Sequence, residues 1–244
     1  MSSKDIKQVS GIIVQARMGS TRLPGKVMME LIDGKSVLGY LLDRLSACKY
    51  AHKIIVATTI NPKDDILEQW LQDNGYLYYR GSEADCLDRF YQASRKFNLN
   101  VIVRITSDCP LIDPQIVDDM ISYYIANKNY IDYLSNRQHT NFPEGMDVEI
   151  FNYKILYEAA QFASLQREKE HINYYFIERG DQYHIRYYNH DLGMDYSRFK
   201  LSIDTQSDLD YIRTLFHDWS LPFNFNLKQL IEKLNCTPGE NNEK

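Results

Sequence analysis

The chain has 244 residues, 44% hydrophobic and 25% charged, which is enough apolar material to fill one sizeable core. With 33 acidic against 28 basic residues the formal charge is −5, a balance that argues against nucleic acid as the partner. Four cysteines (Cys48, Cys86, Cys109, Cys236) stand too far apart for any CxxC pair. Neither a zinc site nor a disulfide framework is expected, and free thiols suit a reducing compartment.

The first ten residues, MSSKDIKQVS, are polar, and disorder is expected there. The apolar run that follows is too short for a signal-peptide core or a membrane span, and no later run is long enough either. A cytoplasmic protein with no membrane partner is the expectation. Residues 11–16 (GIIVQA), 53–59 (KIIVATT) and 101–106 (VIVRIT) read as buried strands. Between them, residues 37–48 place Leu38, Leu41, Leu42 and Leu45 on one helical face. Helices are also expected over 64–74, 85–97 and 114–127, the last opening on a proline. Strands alternating with helices imply a three-layer α/β fold with a mostly parallel sheet, and ligands in such sheets bind beyond the strands' C-terminal ends. Residues 123–196 hold 12 of the 19 tyrosines, and residues 135–196 read as an arm or lid leaving the sheet, or as a dimer contact. Residues 199–204 (FKLSID) read as a returning strand and 207–217 as a helix, while the tail after Cys236 is expected to be disordered. One domain over residues 11–235 accounts for the whole pattern.

The segment QARMGSTRLPGKVM, residues 15–28, follows directly on the first strand. Gly19, Pro24 and Gly25 make it a loop, and Arg17, Arg22 and Lys26 are its only charges. Three cations beside flexible backbone N–H groups are what a triphosphate requires. Neither GxxxxGK[ST] nor GxGxxG is present.

In RITSDCPLIDP, Asp108 follows the end of a buried strand, so it is a candidate ligand for Mg²⁺, or else a turn residue before Pro110. Asp113, before Pro114, reads as a helix N-cap. Asp204 ends the late strand; if that strand neighbours the one before Asp108, the two carboxylates converge on one metal ion.

QARMGSTRLPGKVM, YRGSEADCLDRF, VRITSDCPLIDP, FPEGMDVEIF, EKEHIN and LSIDTQSDLD together resemble the cytidylyltransferases that make CMP-activated acidic sugars. The likeness runs in order from residue 11 to about 217 and is strongest to the spore-coat polysaccharide (SpsF-type) branch. It implies a nucleotide-diphospho-sugar transferase-like (Rossmann-like, GT-A type) fold and transfer of CMP from CTP to a sugar-type acceptor. By the same resemblance Arg17, Arg22, Lys26 and Asp108 are catalytic. Ala16, Arg17, Gly19, Ser20, Arg22 and Lys26 then hold the nucleotide, with Gly81, Ser82 and Asp85 toward the nucleoside and Arg104 near base or phosphates. Asp108 and Asp204 hold Mg²⁺, and Glu149, Glu170 and His171 face the acceptor. One departure stands out: the branch tends to read Arg-Glu-His where this chain has Lys169-Glu170-His171, which loses a bidentate fork on the acceptor side.

Three other readings stay open at this level. A sugar-1-phosphate nucleotidylyltransferase normally carries GxGTRxxPxT, whereas this chain has Gln15-Ala16-Arg17. A glycosyltransferase needs a DxD at a strand end, and the DLD at Asp208 and Asp210 is read on a helix. A non-catalytic nucleotide sensor would have no need of both Asp108 and Asp204.

Overall fold

The computed structural model describes residues 9–138, 140–189, 195–219 and 223–236; the side chains of residues 217–219 and 236 lie outside that description. Most of the expected N-terminal and C-terminal disorder therefore falls outside the described residues.

Strict period-two burial builds the sheet. In β1 (Ser10–Gln15), Ile12 and Val14 face one core while Ile13 faces a second. In β4 (Lys53–Thr59), Val56 joins the first core, and Ile55 and Ala57 the second. In β6 (Val101–Thr106), Val103 and Ile105 oppose Ile102 in the same way. Both faces of these strands are apolar, so both must be covered by helices.

The first core is closed by α1 (Val37–Leu45), α2 (Asp65–Asp73) and α4 (Pro114–Ala126), joined by α8 (Gln206–Trp219) and α9 (Leu227–Cys236). The second core is closed by α3 (Cys86–Lys96), α5 (Tyr153–Phe162) and α7 (Ile172–Ile177), with the short α6 (Gln166–Glu170) preceding α7. A small hairpin, β2 (Glu30–Ile32) and β3 (Lys35–Ser36), leads into α1, whose first turn is capped by the Ser36 side chain. Asp113 caps α4 through Gln115 N, as its place before Pro114 predicts.

Among the described residues seven strands form the main sheet in the order β5-β4-β1-β6-β8-β7-β9, where β5 is Leu77–Gly81, β7 Tyr133–Ser135, β8 Glu149–Asn152 and β9 Ile185–Tyr187. Only β8 runs against the others. The fold is the mostly parallel α/β sandwich that the strand–helix alternation predicts.

Two expectations need correction. Residues 199–204 do not form a sheet strand. They are extended, but both edges of β6 are already taken, by β1 and by β8. Their backbone pairs instead with the 144 loop: Glu144 N–H donates to Phe199 O at 3.0 Å and Leu201 N–H to Glu144 O at 2.7 Å. Nor do the described residues within 135–196 leave the sheet as an arm, because they supply β8 and β9. Tyr175 and Tyr183 from this stretch, together with Tyr133 just ahead of it, are buried in the second core, packed on Phe176. These strands are three or four residues long, too short for a period-two signal to stand out among polar neighbours.

Candidate active site

Because β1, β4, β5 and β6 are parallel, the loops after Gln15, Thr59, Gly81 and Thr106 open on one edge of the sheet. The cationic loop after β1 is fixed mainly by its own backbone. Gly25 N–H donates to Met18 O at 2.9 Å, and Gly25 holds φ 76°, a conformation costly for other residues. Met18 N–H donates to Asp64 Oδ1 at 2.6 Å, and the buried Asp64 also accepts from the Thr59 hydroxyl. Asp64 thus ties the loop to the end of β4. Sequence reasoning saw it only as the start of a helix.

A 3₁₀ turn, Lys26–Met28, then drives Lys26 inward until it is only 8% exposed. Its ammonium donates to Asp108 Oδ2 at 2.8 Å, Asp204 Oδ1 at 3.2 Å and the Ile203 carbonyl at 2.6 Å. Ile203 N–H donates to Asp108 O at 2.8 Å, which holds the 199–204 segment beside the end of β6 although the two are not sheet neighbours. Arg22 reaches Asp204 Oδ1 at 2.7 Å from the solvent side, and Lys200 lies 3.5 Å from Asp204 Oδ2. Burial alone would raise the Asp108 carboxyl pKa. The adjacent Lys26 charge, with hydrogen bonds from Lys26 and Thr106, outweighs burial and holds it below the ordinary carboxylate value.

The two acids expected to share a metal ion therefore share a lysine ammonium. This is itself a test of fit: the structure places a cation between these carboxylates. Their donors are all oxygen, as a hard divalent ion requires. Among the described residues no third His, Cys, Asp or Glu completes a metal cluster. A set of two carboxylates suits an ion whose other ligands are substrate phosphates and water.

Beside the pair opens a cavity of about 520 Å³. Of the residues singled out from sequence, Arg22, Arg104, Asp108, Glu149, His171 and Asp204 line it. Gln15, Arg137, Glu144, Asp147 and Ser202 also line it, and sequence reasoning did not single them out. Arg104 and Glu149 face each other in the β6–β8 register and form an ion pair, 4% and 3% exposed. Glu149 also accepts from the Tyr133 hydroxyl, and Gln15 Oε1 accepts from Arg104 Nε at 3.1 Å. Asp147 stands in the 143–148 loop, and burial pushes its pKa up to about 6, with Arg137 opposing the shift.

Residues 11–235 match the cytidylyltransferase family. The chain belongs to that family. It is 30% identical to the spore coat polysaccharide biosynthesis protein SpsF of Bacillus subtilis, over 95% of this chain and 96% of that one. A cytidylyltransferase structure from Leptospira borgpetersenii superposes with a TM-score of 0.88 at 36% identity, covering 93% of this chain and 94% of that one. CMP:2-keto-3-deoxy-manno-octonic acid synthetase, solved with CTP, shares the fold with a TM-score of 0.68 at 17% identity, over 86% and 99% of the two chains.

In this cytidylyltransferase the remaining sequence candidates stand around the cavity rather than in its wall. Ala16 is buried and donates its N–H to Ala57 O at 3.2 Å. Arg17, Gly19 and Ser20 lie on the outer part of the loop, where Gly19 approaches Glu83; a Cβ there would sit 3.3 Å from Glu83 Oε1. Gly81 ends β5, and Ser82 Oγ accepts from Asp85 N–H at 3.1 Å. Asp85 caps α3 by accepting from Asp88 N–H at 2.8 Å, so that oxygen is engaged structurally. Glu170 is exposed and is not part of the cavity wall. Lys169, at the departure noted from sequence, faces Asp85 at 3.9 Å, and Gln166 Nε2 donates to Ala84 O at 3.2 Å. The α6 helix thus braces the 82–85 loop.

Asp208, half of the DLD, accepts from the N–H groups of Asp204 and Thr205 and from Lys200 Nζ. It lies in the first turn of α8 and forms a capping box with Thr205, which removes the DxD reading. Among the described residues no helix is long and apolar enough to cross a membrane.

Proposed function

We propose that this cytidylyltransferase moves CMP from CTP to a hydroxyl of an acidic sugar, releases pyrophosphate, and thereby supplies surface polysaccharide synthesis in the cytoplasm. The observation that carries the reading is the Asp108–Lys26–Asp204 bridge, set beside a cationic loop and a cavity lined by both charge signs. The names of the relatives support it: one acts in spore coat polysaccharide biosynthesis, and others, matched over about half of their length, are 3-deoxy-manno-octulosonate cytidylyltransferases.

Arg17 and Arg22 hold the β- and γ-phosphates, and Lys26 exchanges its carboxylates for phosphate oxygens as the nucleotide arrives. Gly81 and Ser82 border the nucleoside, while His171 and the far wall of the cavity orient the acceptor. Asp108 and Asp204 would hold Mg²⁺, which would supply positive charge to offset that gathering on the phosphates. No covalent nucleophile is required, because positioning and fixed charge provide most of the rate. We further take the active form to be a homodimer, with the dimer contact within residues 135–196, where Tyr157, Phe162 and Tyr174 are exposed aromatics.

The test is pyrophosphate release with CTP, UTP, ATP and GTP against a panel of keto-acid sugars, sugar phosphates and phosphonates. Selective turnover of CTP with an acidic sugar is expected. Preference for another nucleotide, or for a phosphate acceptor, overturns the reading.

A further inference from the structure

Five carboxylates line the cavity: Asp108, Glu144, Asp147, Glu149 and Asp204. Four are engaged. Asp108 and Asp204 share Lys26, and Asp204 also holds Arg22. Glu149 is locked between Arg104 and Tyr133. Glu144 Oε1 accepts from Ser202 Oγ at 2.6 Å. Asp147 differs: among the described residues its ion-pair partner is Arg137 Nε at 3.9 Å, near enough to attract it and too far for a hydrogen bond. Among the described residues no hydrogen bond engages its side chain, which lines the cavity and is 24% exposed.

The position of Asp147 is enforced by backbone. Gly145, with φ 99°, packs so closely on the neighbouring segment that a Cβ would lie 2.6 Å from the Leu201 carbonyl carbon. The same segment carries Asp204 and is hydrogen-bonded to Asp108 O through Ile203. One rigid contact thus fixes Asp147 relative to both residues of the acid pair.

We propose that Asp147 is the group that takes the proton from the acceptor hydroxyl. This rests on the reading that the acceptor is a hydroxyl of an acidic sugar. As the O–H bond breaks toward the Asp147 carboxylate, the oxygen forms a bond to the α-phosphorus. The bond from that phosphorus to the bridging oxygen breaks, and its electron pair leaves with pyrophosphate. Asp147 then returns the proton to solvent through the cavity mouth.

The charges around Asp147 are consistent with this task. Burial raises its pKa most, Glu144 in its own loop and Asp108 after β6 add to the rise, and Arg137 after β7 and Arg104 in β6 oppose it. A carboxyl that titrates at about 6 is ionised at neutral pH yet basic enough to accept a proton. The sign for stability is opposite to that for activity. An acid whose pKa is higher in the folded state favours folding when protonated, and it loses that contribution as pH rises through about 4 to 6. At pH 7.5 the ionised Asp147 is a burden on the fold that an asparagine removes.

Asp147→Asn, Asp147→Glu and His171→Gln are assayed against the wild-type enzyme with CTP and the acidic sugar that the panel selects. Asp147→Asn is expected to lower kcat by about 10²–10⁴-fold, the scale for losing a general base. It should leave CTP affinity by calorimetry within about twofold and the Tm at pH 7.5 equal to or above wild type. Wild type should lose kcat as pH falls through about 6, and this acidic limb should vanish in Asp147→Asn and return in part in Asp147→Glu. A kcat for Asp147→Asn within about threefold of wild type, or an acidic limb that persists there and disappears in His171→Gln, overturns the assignment while leaving the proposed function standing. No turnover of any acidic sugar by the wild-type enzyme overturns both.

Discussion

Lys26 is the side chain whose surroundings differ most from what its sequence context suggests. A loop lysine beside two arginines reads as a phosphate ligand, yet it lies beneath the loop between two carboxylates. Lys26→Met should lower CTP turnover by about 10²-fold, as expected for loss of a fixed charge at the reacting phosphates. The same variant should bind Mn²⁺ without nucleotide about 10-fold more tightly than wild type, because the competing cation is gone; electron paramagnetic resonance of the bare protein reads this directly. Equal Mn²⁺ affinity in the two proteins would show that the ammonium does not compete for the site. Asp108→Asn should abolish turnover, since Asn keeps the shape and removes the charge. Full activity in that variant or in excess chelator would end the metal reading. At this scale the sequence shows residue types and hides partners. Asp108 and Lys26 stand out in the sequence because a strand end and a loop announce them, whereas Asp204 stands out only on a strand reading that the structure replaces. Asp147 and Arg137 do not, because what distinguishes them is a 3.9 Å separation across the cavity wall, which only the fold sets.

Among the elements, the buried β1, β4 and β6 could be read directly, because each side chain's core follows from its parity along the strand. The 199–204 segment could not. Its alternation is that of a strand, but whether it joins the sheet depends on whether β6 has a free edge, and residues 149–152 take that edge first. Two predictions belong to these contacts. Gly145→Ala should cost about 1–3 kcal/mol by overpacking and should lower turnover about 10²-fold, as a displacement near 1 Å does. Thermal unfolding and kcat measured together check it, and unchanged kcat would show that the contact does not set the site. Glu149→Gln breaks a buried ion pair, a loss of about 3–5 kcal/mol, which should lower Tm by about 10 °C in a chain of this size. A Tm within about 2 °C of wild type would mean the pair is neutral to the fold.

For the whole molecule, the proposed dimer predicts a light-scattering mass near twice 28.7 kDa. Phe162 is 69% exposed in the single chain, a large apolar surface for a protein to leave in water. A fully active monomer at micromolar concentration would leave that ring to another role.

The lysine between the two acids also has a consequence for how the protein is made. Two acids that converge with nothing between them repel, and the folded state then needs a proton or a bound cation to hold them together. Here the Lys26 ammonium stands between Asp108 and Asp204, so folding is expected not to depend on a divalent ion. Thermal unfolding of the bare enzyme should shift by no more than about 1 °C between EDTA and excess Mg²⁺. On the proposed metal-dependent reading, a cell short of magnesium would then keep a folded, idle stock of the enzyme.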